Sequence, residues 1–146
     1  VQVERVRALS AGLVEDEGVL IYPEGTRFSP AKLKKVQERL SQDALFGPHA
    51  SKLEHVLPPR PGGTLSLRRE APEVDVVFVA HKGLEGAASL GDFWRGQLVE
   101  TTLHVHAWRI PAKDIPTEAS ENPAWLLERW QEVDAWIHSR PQGADS

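Results

Sequence analysis

The order of hydrophobic and polar positions at the start of the chain predicts a helix followed by a buried strand. Residues 3–16 carry apolar side chains at helical spacing, and Gly18 follows them as a helix-stop signal. Residues 19–22 form an uninterrupted apolar run, which is typical of a short strand buried on both faces. Pro23 should end this strand, because proline cannot donate a hydrogen bond to a neighbouring strand.

A second helix is predicted over residues 30–41. Ser29 and Pro30 before it are typical N-cap and first-turn residues. The inward face of this helix should consist of three apolar residues, Leu33, Val36 and Leu40. Residues 43–64 contain several prolines and glycines and predict a long connection, which is either functional or disordered.

The second half of the chain predicts two strands. Residues 74–80 are β-branched and nearly continuous, which is typical of a central strand. Residues 82–96 contain four glycines and predict a flexible loop. A second strand region is predicted over residues 98–108, where apolar and polar positions alternate from residue 103 onwards.

The alternation places Leu103, Val105 and Ala107 on one face of the second strand and His104, His106 and Trp108 on the other. A His-x-His pair can ligate zinc, but no third ligand accompanies this pair at a suitable spacing. Polar residues on the open face of an outer strand are therefore the preferred interpretation, and no metal is expected.

A closing helix is predicted to begin with Asn122 as its N-cap and Pro123 as its first residue. Its apolar stripe should dock on the sheet and consists of Leu126, Trp130, Val133 and Ile137. Trp125 and Trp136 lie on a neighbouring shoulder, where they would either pack under a loop or sit at a membrane interface. Packing is the favoured alternative. Residues 140–146 predict a frayed tail after a domain that spans residues 1–139.

These elements predict an α/β fold with a central, mostly parallel or mixed sheet flanked by helices. The first strand of a βα unit is missing, so the domain is expected to be truncated on its N-terminal side. The length of 146 residues suits one domain, and a pI near 5.9 argues against general nucleic-acid binding. The sequence contains no cysteine and no apolar run as long as a membrane span.

A charged tetrapeptide lies where the strand over 19–22 is predicted to end: Glu24, Gly25, Thr26 and Arg27. Ligands of open α/β sheets bind at the carboxyl ends of strands. The guanidinium of Arg27 suits phosphate or carboxylate, and the free amides at the start of the next helix favour an anion nearby. The alternative is that Glu24 and Arg27 only pair to fix a turn.

Further basic residues follow the tetrapeptide. Lys32 and Lys35 belong to a basic face of the second helix, which is either simply solvated or helps to hold phosphate or an anionic membrane surface. Arg60 follows Pro59 on stiff backbone and is a second candidate for anion binding. A surface arginine on a turn is the alternative interpretation for Arg60.

The segment Pro23-Glu24-Gly25-Thr26-Arg27 resembles the third signature block of the glycerolipid acyltransferases, the lysophosphatidic acid acyltransferase superfamily. That block usually reads Phe-Pro-Glu-Gly-Thr-Arg-Ser, whereas this chain has Tyr22 and Phe28 at its two ends. The Arg-Phe variant is similar to the branch of eukaryotic 1-acylglycerol-3-phosphate and lysocardiolipin acyltransferases. Residues 55–63 resemble the branch motif His-Leu-Leu-Pro-Arg-Thr-Lys-Gly, although Gly62 replaces its lysine.

The resemblance extends through the C-terminal half, where residues 108–116 are similar to Arg-Arg-Ile-Pro-x-x-Asp-Ile-Pro. Trp125, Leu126 and Asp134 fit the closing helix of the branch. None of the six histidines of this chain begins the catalytic motif of the family, His-x-x-x-x-Asp. The chain also starts at Val1 and contains no methionine, so we expect the C-terminal portion of a longer enzyme, with a degenerate copy as the alternative.

The resemblance implies transfer of a fatty acyl group from acyl-CoA or acyl carrier protein to a lysophospholipid such as 1-acylglycerol-3-phosphate. An upstream His, oriented by its Asp, would act as general base. Gly25, Thr26 and Arg27 would hold the acceptor phosphate, while Glu24 would fix the loop. No cofactor beyond the acyl donor is implied. A missing N-terminal segment would hold the protein at the cytoplasmic face of a membrane, with this portion soluble.

Two other functions stay open at this stage. The chain could be a non-catalytic lipid-phosphate binding or regulatory domain that kept the phosphate loop and lost the base. It could also be a structural fragment without a ligand. The presence or absence of His-x-x-x-x-Asp upstream of residue 1 would distinguish the enzyme from the binding domain.

Overall fold

The computed structural model describes residues 13–14, 16–83 and 102–140. These residues form four α-helices, two β-strands and one 3-10 helix. In chain order they are α1 (Pro30–Leu40), α2 (Phe46–Ala50), α3 (Pro61–Glu70), β1 (Val76–Lys82), β2 (His104–Ile110), the 3-10 helix (Ala112–Asp114) and α4 (Asn122–Ser139).

The strands β1 and β2 pair antiparallel, with a register that runs from Val76 opposite Ile110 to Lys82 opposite His104. A mixed α/β fold is compatible with this arrangement. Within the described residues, however, the sheet contains only these two strands, so the predicted central parallel sheet is not found there. The prediction of parallel strands rested on a βα unit at the N-terminus, and that unit is not formed by the described residues.

Strand β1 is not buried on both faces, in contrast to the central position predicted for residues 74–80. Phe78, Ala80 and Lys82 point towards the core, whereas Val77 and Val79 are more than half exposed. A continuous run of β-branched residues is compatible with both arrangements, because each apolar residue can be either covered or exposed. The sequence pattern alone therefore could not decide between them.

The residues of β2 divide between its two faces as predicted, but the face that was expected to be open packs against α4 and the opposite face is exposed. Val105 lies on the exposed face, while the ring of His106 stacks on Trp136 of α4 with 5.7 Å between their centroids. Trp108 packs edge-on against the same tryptophan. The polar face thus covers part of the helix, because three aromatic rings can pack there together.

Helix α4 packs across the inner face of the sheet and forms the core. Its predicted stripe is confirmed, since Leu126, Trp130 and Val133 are buried and Ile137 packs against them. The helix begins at Asn122, so the predicted N-cap is off by one residue: the Asn122 side chain instead donates to the carbonyl oxygen of Glu118. The other elements add Leu33, Leu53, Val56, Leu57, Phe78 and Ala80 to the core.

The tryptophans on the shoulder of α4 are partly buried, as the favoured packing alternative predicted, but they pack against the two strands rather than under a loop. Trp125 lies 5.7 Å from Phe78, centroid to centroid, and Trp136 contacts the histidine and tryptophan of β2. None of the helices in the described part of the chain is long and apolar enough to cross a membrane.

The predicted strand over residues 19–22 is absent, and so is its burial. Leu20 and Tyr22 are 75% and 80% exposed. A strand needs a neighbour that satisfies its backbone hydrogen bonds, and neither β1 nor β2 pairs with this segment. Most of the predicted helix over 3–16 lies outside the described residues, and residues 13, 14 and 16 at its end are not helical.

The predicted long connection over residues 43–64 is wrong in part, because it contains α2 and the start of α3. Asp43 organises the first of these helices by accepting the backbone N–H groups of Leu45 and Phe46. Pro61 is suited to the first turn of α3, where its missing N–H is not needed. Residues 84–96 of the predicted glycine-rich loop and residues 141–146 of the predicted tail lie outside the described residues.

Candidate functional site

The charged tetrapeptide forms a tight loop immediately before α1, which we call the 24–27 loop. The backbone N–H of Gly25 donates to the carbonyl oxygen of Tyr22 at 3.0 Å, which closes a four-residue turn. Gly25 has a φ angle of +68°, a conformation in which a Cβ atom is strained. The glycine is therefore required by the turn itself.

Lys32 connects the 24–27 loop to the first turn of α1. Its ammonium donates to the hydroxyl of Thr26 and to the carbonyl oxygen of Arg27, both at 3.0 Å. Ser29 caps the helix as predicted, because its hydroxyl accepts the backbone N–H of Lys32 at 3.3 Å. Lys35 is exposed on α1, and none of the polar contacts seen among the described residues joins it to the loop.

Arg60 reaches the same loop from the N-terminus of α3. Its backbone N–H donates to the carbonyl oxygen of Pro23 at 2.8 Å. Its guanidinium covers Gly25 so closely that a Cβ atom on the glycine would lie 3.0 Å from Cζ of Arg60. Pro59, the residue before Arg60, is buried. The two anion-binding candidates of the sequence, Arg27 and Arg60, thus belong to one loop assembly.

Glu24 turns away from solvent and bonds to the segment that precedes Arg60. Its carboxylate accepts the backbone N–H of Leu57 at 3.2 Å. Burial raises the pKa of Glu24 above its ordinary value, the Leu57 N–H opposes this shift, and the charge of Asp134 adds to it. The bond to a backbone amide agrees with the expectation that Glu24 fixes the loop.

Helix α4 holds the segment over residues 54–57 from the opposite side. The Asp134 carboxylate accepts three successive backbone N–H groups, those of Glu54 at 3.1 Å, His55 at 2.7 Å and Val56 at 3.1 Å. The indole N–H of Trp130 donates to the carbonyl oxygen of Leu57 at 2.8 Å. Asp134 is buried, so its charge is satisfied by these amides rather than by water.

A cluster of three possible metal ligands lies at the end of α4, and the sequence analysis did not predict it. Nε2 of His55 is 3.1 Å from Nδ1 of His138, and Oε2 of Glu54 lies 3.9 Å and 3.5 Å from these two atoms. We call these residues the histidine cluster. His55 and His138 are 83 positions apart, so no local spacing could reveal their contact. The His104–His106 pair that the sequence singled out is not part of the cluster.

The arrangement of cations around the 24–27 loop suits a small anion. Arg27 and Arg60 carry guanidinium groups, and the 11-residue helix α1 begins at Pro30, three residues after Arg27. Both arginines are exposed, so a ligand could approach them from solvent. Such a set of donors can bind a phosphate or carboxylate by charge-assisted hydrogen bonds.

Comparison with known proteins gives a consistent result for the C-terminal part of the chain. Residues 96–139 match the family described as Acyltransferase C-terminus. The chain is 32% identical over 121 residues to 1-acyl-sn-glycerol-3-phosphate acyltransferase delta of Homo sapiens, and equally to that of Pongo abelii. This alignment covers 80% of the chain and spans about 30% of the length of each relative. No solved structure matches the chain.

The matched family and the relatives together indicate the class of the protein. They support the acyltransferase superfamily, with this chain similar to a C-terminal portion of its members. The resemblance that the sequence motifs indicated is thereby confirmed.

Proposed function

We propose that this chain is part of an acyltransferase that moves a fatty acyl group from acyl-CoA or acyl carrier protein to a lysophospholipid. The acceptor would be a lipid such as 1-acylglycerol-3-phosphate, since both relatives are named as acyltransferases of 1-acyl-sn-glycerol-3-phosphate. The contribution of this chain is the 24–27 loop, which binds the phosphate of the acceptor.

The observation that carries this proposal is the contact between Arg60 and the 24–27 loop. The Arg60 guanidinium covers Gly25, and Lys32 holds Thr26 and the carbonyl oxygen of Arg27. Two guanidinium groups beside one tight loop suit a phosphate better than a single surface arginine does. If an ion pair between Glu24 and Arg27 alone fixed the loop, the guanidinium of Arg60 would not be needed beside Gly25.

The reaction requires a general base and correct positioning of two substrates. The acceptor hydroxyl oxygen forms a bond to the carbonyl carbon of the thioester, and the carbon–sulfur bond breaks. The proton of the hydroxyl passes to the base and then to the departing thiolate, so no oxidant or further cofactor takes part. We propose that the base is the His of a His-x-x-x-x-Asp motif contributed by sequence outside these 146 residues. Phosphate binding by the loop would hold the hydroxyl near the thioester.

The acceptor lipids reside in bilayers, so the enzyme must work at a membrane surface. We propose that segments outside these residues hold the enzyme at the cytoplasmic face. Fractionation of cells that express the enzyme with its natural upstream sequence tests this point. Recovery entirely in the supernatant, at low and at high salt, would contradict membrane attachment.

The phosphate-binding role can be tested on the chain itself by calorimetric titration with glycerol 3-phosphate and with a short-chain lysophosphatidic acid. We expect saturable binding of both ligands and none of glycerol, because glycerol lacks the phosphate. Replacing Arg27 or Arg60 with alanine should weaken binding by about tenfold or more, since each loses a charge-assisted contact. Arg69→Ala is the matched control, because this arginine is exposed at the far end of α3.

Equal binding by the Arg27→Ala, Arg60→Ala and Arg69→Ala variants would contradict the phosphate-binding loop.

The second candidate function, a lipid-phosphate binding domain without activity, is favoured by the lack of His-x-x-x-x-Asp in these residues. Extending the chain with its natural upstream sequence distinguishes the two. Acyl transfer by the extended protein, lost when an upstream His is replaced, supports the enzyme.

A further inference from the structure

We propose that the histidine cluster is a binding site for a divalent metal ion of the zinc class. Its three ligand atoms are Oε2 of Glu54, Nε2 of His55 and Nδ1 of His138. All three lie within 4.8 Å of one another. Two imidazole nitrogens with one carboxylate oxygen are a ligand set that zinc accepts, with a fourth position left for water.

The distances between the ligand atoms suit tetrahedral coordination. Zinc–ligand bonds of about 2.0–2.2 Å place neighbouring tetrahedral ligands about 3.3–3.6 Å apart. The atoms of Glu54, His55 and His138 are separated by 3.1, 3.5 and 3.9 Å. Shifts of a few tenths of an ångström in exposed side chains would bring all three distances into this range.

The backbone that carries these ligands is fixed before any ion arrives. Asp134 accepts the N–H groups of Glu54 and His55, and it lies four residues before His138 on α4. One carboxylate therefore sets the distance between the loop segment and the helix turn that provides the third ligand. Supporting contacts of this kind orient metal ligands and raise the affinity of a site.

The position of the cluster allows an ion to enter from solvent. The side chain of His55 is 33% exposed, and those of Glu54 and His138 are 67% and 68% exposed. The Glu54 carboxylate supplies negative charge. The ammonium of Lys82 donates instead to the carbonyl oxygens of Ile137 and Arg140 at the end of α4. A bound ion would join the 54–57 segment to α4 more firmly than the hydrogen bonds alone.

The alternative is a hydrogen bond between two neutral imidazoles, in which one nitrogen donates and the other accepts. A titration separates the two cases. The chain, freed of any histidine tag and stripped with a chelator, is titrated with zinc sulfate in a calorimeter. We expect one equivalent of zinc to bind with saturation, and we expect the melting temperature to rise with zinc concentration.

Single replacements identify the ligands. His55→Ala and His138→Ala should each weaken zinc binding by at least about tenfold, while Glu54→Gln should weaken it less because an amide oxygen can still bind the ion. His81→Ala is the matched control, since His81 is an exposed histidine on β1 outside the cluster. Circular dichroism verifies that each variant is folded, which is expected because His138 is largely exposed.

Cobalt binding provides a second measurement that does not depend on stability. Co²⁺ in a tetrahedral site gives intense visible bands, so these bands should appear with the unaltered chain and disappear with His138→Ala. A chain that shows no saturable zinc binding would overturn the metal site and leave only the hydrogen-bonded pair. Equal zinc affinity of the unaltered chain and of the folded His55→Ala and His138→Ala variants would also overturn it.

Discussion

Oδ1 of Asp134 accepts the backbone N–H of His55 at 2.7 Å, across 79 residues of chain. The same oxygen accepts the N–H of Val56, and the next residue, Leu57, donates to Glu24. A carboxylate on the last helix is thereby connected, through one short segment, to the loop that carries Arg27. The geometry of the 24–27 loop therefore depends on Asp134, which reaches that loop only through the segment over residues 54–57.

Replacing Asp134 with alanine should be among the most damaging single substitutions in the chain. Three buried or half-buried N–H groups would lose a charged acceptor, and each bond of this kind contributes about 1.5–3 kcal/mol. We expect the free energy of unfolding to fall by roughly 3 kcal/mol or more, as measured by urea titration. Asp134→Asn keeps one carbonyl oxygen and should be intermediate. Glu128→Gln on the exposed side of α4 is the control, and a similar loss there would contradict the explanation.

Gly25→Ala should destabilise the protein and weaken anion binding together. Alanine at a φ angle of +68° costs about 1–2 kcal/mol, and its methyl group would push the Arg60 guanidinium from its position. Gly62→Ala is a matched control, because nothing lies within 4 Å of the added methyl in the first turn of α3. Thermal unfolding and titration with glycerol 3-phosphate measure the two effects. Unchanged binding by Gly25→Ala would show that the position of Arg60 is unimportant.

Glu24→Gln should change how stability depends on pH. The pKa of Glu24 is raised in the folded state, so its protonated form favours folding. This contribution is complete below the ordinary value of 4.5 and is lost as the pH rises through the folded-state pKa. Relative to the Gln variant, the unaltered protein should therefore lose stability as the pH rises above about 4.5. Urea unfolding at several pH values measures the stability of the unaltered protein minus that of the Gln variant. This difference should fall as the pH rises, and an increase with rising pH would contradict the explanation.

Asp75→Asn should show the opposite pH dependence. The N–H of Ala112 and the guanidinium of Arg109 hold the pKa of Asp75 below its ordinary value of 3.8. The stabilisation is present above that value and is lost as the pH falls through the folded-state pKa. We expect the unaltered protein to be more stable than the Asn variant at neutral pH, with the difference vanishing in acid. Asp114→Asn, an exposed neighbour, serves as the control.

The sequence predicted correctly those features that depend on residues close together in the chain. Ser29 caps α1 and Pro30 follows it as expected, because capping involves only residues within one turn. The stripe of α4 was also predicted correctly, since a helix that covers a core must repeat its apolar residues. The motif around Arg27 pointed to the superfamily that the comparisons support, because its residues are adjacent in the chain.

Predictions that depended on distant partners were less successful. Residues 19–22 have the composition of a buried strand, yet Leu20 and Tyr22 are exposed because neither described strand pairs with them. The role of Asp134 and the contact of His55 with His138 arise only when α4 reaches the loop segment, and no spacing rule contains that information. Arg60 was a candidate from its prolines, but its proximity to Gly25 became visible only in the structure.

The contacts that fix the segment over residues 54–57 also determine when this segment, and the 24–27 loop bonded to it, can become ordered. The bond from Trp130 to Leu57 spans 73 residues, and the one from Asp134 to Glu54 spans 80. Contacts of such large sequence separation form late, because the intervening chain must first lose its freedom. A ribosome makes the loop long before it makes α4, so during synthesis the loop is complete in sequence but lacks the helix that holds its shape. The phosphate binding that we propose for the 24–27 loop would therefore arise only after α4 has been translated and has docked.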